Sequence, residues 1–192
     1  MRVGTVFEDR AFEDVVIALV ERIATEMDCE LSLLNPRLTH GCRFRDLTAI
    51  LTEIIDHVDG VIIGADTGDR TPAKKEQAMR ERLPARLGTF PLVFALPQPC
   101  AEGWLVADLG ALKRGVSEQL GDVVALPSQI GRYPRTEQAA KSRLRSLLRE
   151  ADVPFLSGGL EYGQAVMRHV GYEVHPSIKR FVSQLRQFLK AR

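Results

Sequence analysis

Gly60-Val61-Ile62-Ile63-Gly64-Ala65-Asp66-Thr67-Gly68-Asp69 joins an uninterrupted apolar run to an acidic, glycine-containing turn. A short apolar run without polar alternation predicts a strand buried on both faces, as in a parallel sheet. Upstream, Leu47, Ile50, Leu51, Ile54, Ile55 and Val58 recur at helical spacing. Before them comes a short run, Leu31-Ser32-Leu33-Leu34, which Asn35-Pro36 stops. Earlier still, Phe12, Val15, Val16, Leu19, Val20 and Ile23 mark an amphipathic helix behind a first strand, Val3 to Phe7. Downstream, the spacing predicts a polar helix from Pro72 to Leu87, with Pro72 suited to its first turn. A fourth strand, Phe90 to Leu96, is closed by Pro97 and Pro99.

Strands alternating with helices are the grammar of an α/β fold. The prediction is a mostly parallel four-stranded sheet flanked by helices over residues 1–115, followed by a helical C-terminal extension, 116–192, packed on the sheet. In the second half, helices are expected over Glu102–Gly115, Thr136–Ala151 and Leu160–Val170. Ile178, Phe181, Val182, Leu185, Phe188 and Leu189 give a last helix its apolar face.

The 192 residues suffice for one domain, or one domain with an appendage, and bury enough surface to fold without disulfides or structural metal. Hydrophobic residues at 45% and charged residues at 27% exclude a disordered chain. A formal charge of +1 excludes a binder that relies on bulk positive charge, though not a local basic face. Cys29, Cys42 and Cys100 match no zinc spacing and read as reduced thiols. The sequence shows no apolar run of membrane-spanning length and no secretory signal, so a soluble cytoplasmic protein is expected, with no membrane partner.

In open parallel sheets, ligands gather beyond the carboxyl ends of the strands. Glu8-Asp9 follows the first strand, Asp66 and Asp69 the third, and Glu102 the fourth. Carboxylates are hard oxygen ligands, and a cluster of them suits Mg²⁺ or Mn²⁺ acting on a phosphate substrate. Each acid also has a plainer reading: Asp9 or Asp69 as a helix cap, Glu102 as a first-turn acid at a helix N-terminus.

The chain resembles the TOPRIM-like domains of primases, topoisomerases and OLD-type nucleases, and within them the small stand-alone bacterial TOPRIM-like proteins, some encoded beside ATPases in defence loci. Val6-Phe7-Glu8-Asp9 stands where that family has a Glu after its first strand, and Ile63-Gly64-Ala65-Asp66-Thr67-Gly68-Asp69 where it has an Asp-x-Asp element. Glu102-Gly103-Trp104-Leu105-Val106-Ala107-Asp108 resembles its Glu-Ala-Trp-Leu-Leu-Ala-Asp block, the most specific match, and Pro176-Ser177 resembles its C-terminal ending. The resemblance implies a Mg²⁺-dependent site for nucleic-acid phosphodiesters. Glu8 would be general acid/base or metal ligand, and Asp66 a metal ligand. The sequence departs from the family at Gly68, which stands where the second Asp should fall; Asp69 is one residue on. It departs again at Glu8-Asp9-Arg10, where Glu-Gly is commoner.

Arg132, Arg135, Lys141, Arg143, Arg145 and Arg149 concentrate positive charge before and along one predicted helix. Arg132, Arg135, Arg145 and Arg149 are the candidate nucleic-acid contacts, with a solvated helix face as the plainer reading. Trp104 is expected in the core. Leu156-Ser157-Gly158-Gly159 has no phosphate loop to accompany it and reads as a turn, the four histidines lack zinc spacing, and Tyr133, Tyr162 and Tyr172 read as packing residues. The expected function is a divalent-metal-dependent nuclease on DNA ahead of RNA, acting as effector of a bacterial antiviral defence complex. The alternative is a non-catalytic or partner-activated interaction module associated with an ATPase.

Overall fold

The computed structural model describes residues 1–192 except 35–36, 39–43, 69, 129–130, 157 and 192. Among the described residues five strands form one sheet: β1 (Arg2–Phe7), β2 (Ser32–Leu33), β3 (Arg37–Leu38), β4 (Gly60–Gly64) and β5 (Leu92–Ala95). Every pairing is parallel. β4 runs along one side of β1, with Val3 opposite Gly60 and Phe7 opposite Gly64. β2 pairs with the start of β1 and β3 with its end, so these two short strands share its other side as one interrupted edge strand. The sheet is therefore four strands wide, in the order β2/β3, β1, β4, β5.

Both faces are covered, which is why β4 has no polar alternation. Val3, Phe7, Ile62, Val93 and Ala95 face one core and Val6, Val61, Ile63, Leu92 and Phe94 the other. Helix α1 (Arg10–Glu26) packs on the first face; α2 (Phe44–Ile54), α3 (Pro72–Arg80) and α4 (Ala85–Gly88) pack on the second. Right-handed crossovers require this split, because the chain steps one way from β1 to β2 and the opposite way from β2 past β1 to β4 and β5. Its direction thus reverses at β1 and β4, and the carboxyl ends of those strands flank the crevice where open α/β sheets hold ligands.

The chain after β5 forms α5 (Ala101–Ala107), α6 (Leu109–Leu120), α7 (Glu137–Glu150), α8 (Gly163–Met167) and α9 (Pro176–Lys190), all on the face that α1 covers. Helix α6 runs across residues 115 and 116, and one apolar cluster extends from Val3 to Leu189. No helix among the described residues is long and apolar enough to cross a membrane.

Three elements differ from their sequence expectation. The helix from Pro72 stops at Arg80, because Pro84 has no N–H and disfavours helical backbone at Leu83; a short α4 follows. The stretch from Glu102 to Gly115 breaks at Asp108, which takes extended backbone (φ −129°, ψ 93°) and caps α6 by accepting the Ala111 N–H at 2.9 Å. Between Leu160 and Val170 stand only a 3₁₀ turn, Leu160–Tyr162, and the five-residue α8. The last long helices match closely: Thr136 caps α7, and Pro176 opens α9.

Candidate metal centre

Glu8 follows β1 directly and Asp66 lies two residues beyond β4, its neighbour in the sheet. Their proximity is built into the ladder, since Phe7 stands opposite Gly64. The Asp66 N–H donates to Glu8 Oε2 at 3.3 Å, and Asp66 Oδ1 accepts the Ala101 N–H at 3.0 Å. That second bond ties Asp66 to the first residue of α5 and so to Glu102, which is only 6% exposed.

The loop after β5 is fixed by its prolines. Pro97 and Pro99, the latter after a cis Gln98–Pro99 bond, have carbonyls but no N–H donors. The turn after β4 supplies the donors: Thr67 Oγ1 to Pro97 O (2.8 Å), and the Gly68 N–H to Pro99 O (3.0 Å). Gly68 takes φ +57°, which glycine adopts at no steric cost, and space is open around it.

Burial, and after it the crowding of acids, sets the electrostatics. Burial first, and then the charges of Glu8 and Glu102, push the Asp66 carboxyl up to about 7, against the opposing Ala101 N–H. Burial also raises Glu8, opposed by the Asp66 N–H and Lys75 and assisted by Asp9 and Glu137. The Cys100 thiol is raised above its usual range by burial and by Glu102. It lies within hydrogen-bonding reach of the Glu102 carboxylate and of Glu137 O (4.0 Å). Lys141, ion-paired to Glu137, is raised by that bond and by Glu102.

Asp66, Cys100 and Glu102 each present a ligand atom, and these atoms lie within 4.8 Å of one another. Ligands on opposite sides of a divalent cation, each about 2.0–2.3 Å from it, are about 4–4.6 Å apart. The cluster therefore has the dimensions and charge of a site able to hold one metal ion, with Glu8 joined to it through the Asp66 amide.

Of the residues expected from sequence, Glu8, Asp66 and Glu102 are brought together, while Asp69 lies outside the described residues. Asp9 is a helix cap, its Oδ1 accepting the Phe12 N–H at 2.8 Å. Arg132 and Arg135 lie in the segment leading into α7, whose first residue, Glu137, meets Cys100 through its carbonyl. Arg145 and Arg149 lie two and three turns further along α7; at 1.5 Å per residue, Arg149 is about 18 Å along the helix from Glu137. The described structure thus divides the basic stretch into a near pair and a far pair.

Trp104 is fully buried beside Phe181, and its indole N–H donates to Ser177 Oγ at 2.8 Å. Ser177 Oγ in turn meets His175 Nδ1 at 2.7 Å, and that nitrogen also accepts the Ser177 N–H. Burial lowers the His175 pKa, so its imidazole is a neutral acceptor here. His175 stacks on Tyr133 (4.4 Å between centroids), whose hydroxyl donates to Gln98 O at 2.9 Å. Gly103 makes that bond possible, because a Cβ there would lie 2.8 Å from the Tyr133 hydroxyl. Sequence reasoning missed Cys100 and Glu137. The spacing Cys100-Ala101-Glu102 after a strand was a visible signal for the first; for Glu137 the sequence carries none.

Compared with protein-family models, curated proteins and solved structures, the chain matches none.

Proposed function

We propose that the chain hydrolyses phosphodiester bonds of nucleic acid with a divalent metal, Mg²⁺ or Mn²⁺, held by Asp66 and Glu102. The observation that carries this reading is the convergence of acids from three adjacent strand ends at the switch point, where burial first, and then the charges of Glu8 and Glu102, raise Asp66 to about 7. Such repulsion is relieved by a cation, and relief by protonation is lost at higher pH. The bound ion supplies Lewis-acid polarisation of the scissile phosphate. Glu8, raised by burial and placed at the edge of the cluster, would take the proton of the attacking water as general base, and the leaving oxygen would regain a proton as the ester bond breaks. Cys100 remains a thiol and hydrogen-bonds Glu102, orienting that carboxylate. The likeness of Glu8, Asp66 and the Glu102-Gly103-Trp104 block to TOPRIM-like domains supports the same reading; DNA is proposed ahead of RNA as substrate. A role as effector in a bacterial antiviral complex rests on that likeness alone.

The test is cleavage of plasmid and single-stranded substrates with Mg²⁺, Mn²⁺ or EDTA, using wild type, Glu8→Gln and Asp66→Asn. Cleavage that requires metal and both acids is expected. Normal cutting by either variant would refute the site.

One observation favours a second reading. Gly68, with open space around it, stands where a second acid of an Asp-x-Asp element would complete the site. In this reading the chain is an interaction module completed by a partner, such as an ATPase. Metal-dependent cleavage by the isolated chain would exclude it.

A further inference from the structure

A hollow of about 350 Å³ opens beside the acidic cluster, lined by Arg132, Tyr133, Pro134, Arg135, Thr136 and Ala139. It adjoins the centre at two points. The Tyr133 hydroxyl bonds Gln98 O, two residues before Cys100, and Thr136 precedes Glu137, whose carbonyl meets the Cys100 thiol. Its chemistry is mixed: two guanidinium groups and an aromatic ring, with a proline and an alanine between them.

The two arginines are exposed, and among the described residues neither has an ion-pair partner. This distinguishes the hollow from one of similar size, about 360 Å³, between β5 and α9. The arginine of that hollow, Arg80, is engaged by Glu76 (2.9 Å), by Leu92 O (3.1 Å) and by the Phe94 ring (4.7 Å). Tyr133, in contrast to a free surface tyrosine, is held at both ends by Gln98 and by the His175 ring. A wall fixed before binding loses little entropy when a ligand stacks or packs against it.

Two cations without an ion-pair partner among the described residues, beside a rigid apolar wall, complement a nucleotide, which joins an anionic phosphate to a flat base. A base within a duplex is stacked and cannot enter such a hollow without being flipped out. We propose that the hollow seats one unstacked nucleotide, with its phosphate on Arg132 and Arg135 and its base against Tyr133 and Pro134, so that the substrate is single-stranded nucleic acid. This rests on the proposed phosphodiesterase reading and deepens it by naming the substrate class. Arg145 and Arg149 contact the strand weakly or not at all.

The experiment measures binding rather than cleavage. Fluorescence anisotropy follows a labelled single-stranded 12-mer, the same sequence as a duplex, and single strands in which each position in turn is abasic. The background is the full chain carrying Asp66→Asn, to suppress cutting. The single strand is expected to bind at least tenfold more tightly than the duplex. One abasic position should cost at least fivefold. Arg132→Gln with Arg135→Gln should weaken single-strand binding at least tenfold and reduce the salt slope by about 0.7, the value for the one phosphate that the pair holds. Arg145→Gln with Arg149→Gln should change affinity less than threefold.

Equal binding of duplex and single strand, unaltered binding of every abasic strand, or equal losses in the two arginine pairs would each overturn the proposal. So would a chain that binds no oligonucleotide. Metal-dependent cleavage is scored separately on the wild type, so the two readings can fail apart: cutting with normal binding by the Arg132/Arg135 variant removes only the hollow, and selective binding without cutting removes only the hydrolysis.

Discussion

Replacing Asp66 by asparagine should stabilise the metal-free protein at alkaline pH, contrary to the usual cost of altering a half-buried polar residue. The Asp66 carboxyl titrates near 7 in the folded chain against 3.8 as its ordinary value. Between those values the folded state retains a proton that the unfolded chain has lost. Stability attributable to this group is therefore complete below about pH 3.8 and declines as pH rises through about 7. The difference between 3.8 and about 7, at about 1.4 kcal/mol per pH unit, gives about 4 kcal/mol, reduced to about 3 kcal/mol for solvent screening at the rim. Asparagine preserves the acceptor for the Ala101 N–H and removes the charge that Glu8 and Glu102 repel. For a chain of this length about 3 kcal/mol corresponds to about 6–12 °C in Tm. Thermal unfolding in EDTA at pH 4 and pH 8 should show Asp66→Asn close to wild type at the lower pH and more stable at the higher. Destabilisation at pH 8, or an equal shift at both pH values, would refute the electrostatic argument.

Other perturbations have equally definite signs. Ser177→Ala leaves the buried Trp104 N–H without its acceptor and should lower stability by about 1–3 kcal/mol in urea unfolding. Glu76, little exposed on α3, binds Arg80 (2.9 Å) and Arg180 (2.8 Å), which with Gln184 hold its pKa below the ordinary carboxylate value. Because those arginines are partly exposed, Glu76→Gln should cost about 1–2 kcal/mol at pH 7. That difference should vanish as pH falls through the depressed Glu76 pKa, since the stabilisation needs the ionised carboxylate. Cys100→Ser should leave Mn²⁺ affinity within threefold and weaken Zn²⁺ at least tenfold in competition titrations, because only the softer ion gains from a thiolate.

The layout of the sheet was legible because β4 is apolar on both faces and because helical stripes separate each strand from the next. The acids were legible for the same reason: Glu8, Asp66 and Glu102 each follow a strand, and strand ends in a parallel sheet share one edge. What brings Glu8 to Asp66 is the order of strands, a tertiary outcome that no local pattern encodes. β3 is two residues long, too short for any periodicity to register. The break at Asp108 was hidden because apolar spacing continues across it, while a side chain that caps α6 ends α5. Cys100 and Glu137 entered the centre through the packing of α7 on α5, about 37 residues apart in sequence.

The claim that the acids at the strand ends form one cation site is tested most directly by Mn²⁺ binding. Calorimetry and electron paramagnetic resonance would be applied to wild type, Asp66→Asn and Glu102→Gln. One Mn²⁺ per wild-type chain is expected, with at least tenfold weaker binding in each variant. A wild-type chain that binds no Mn²⁺, or variants that bind it unchanged, would contradict the account.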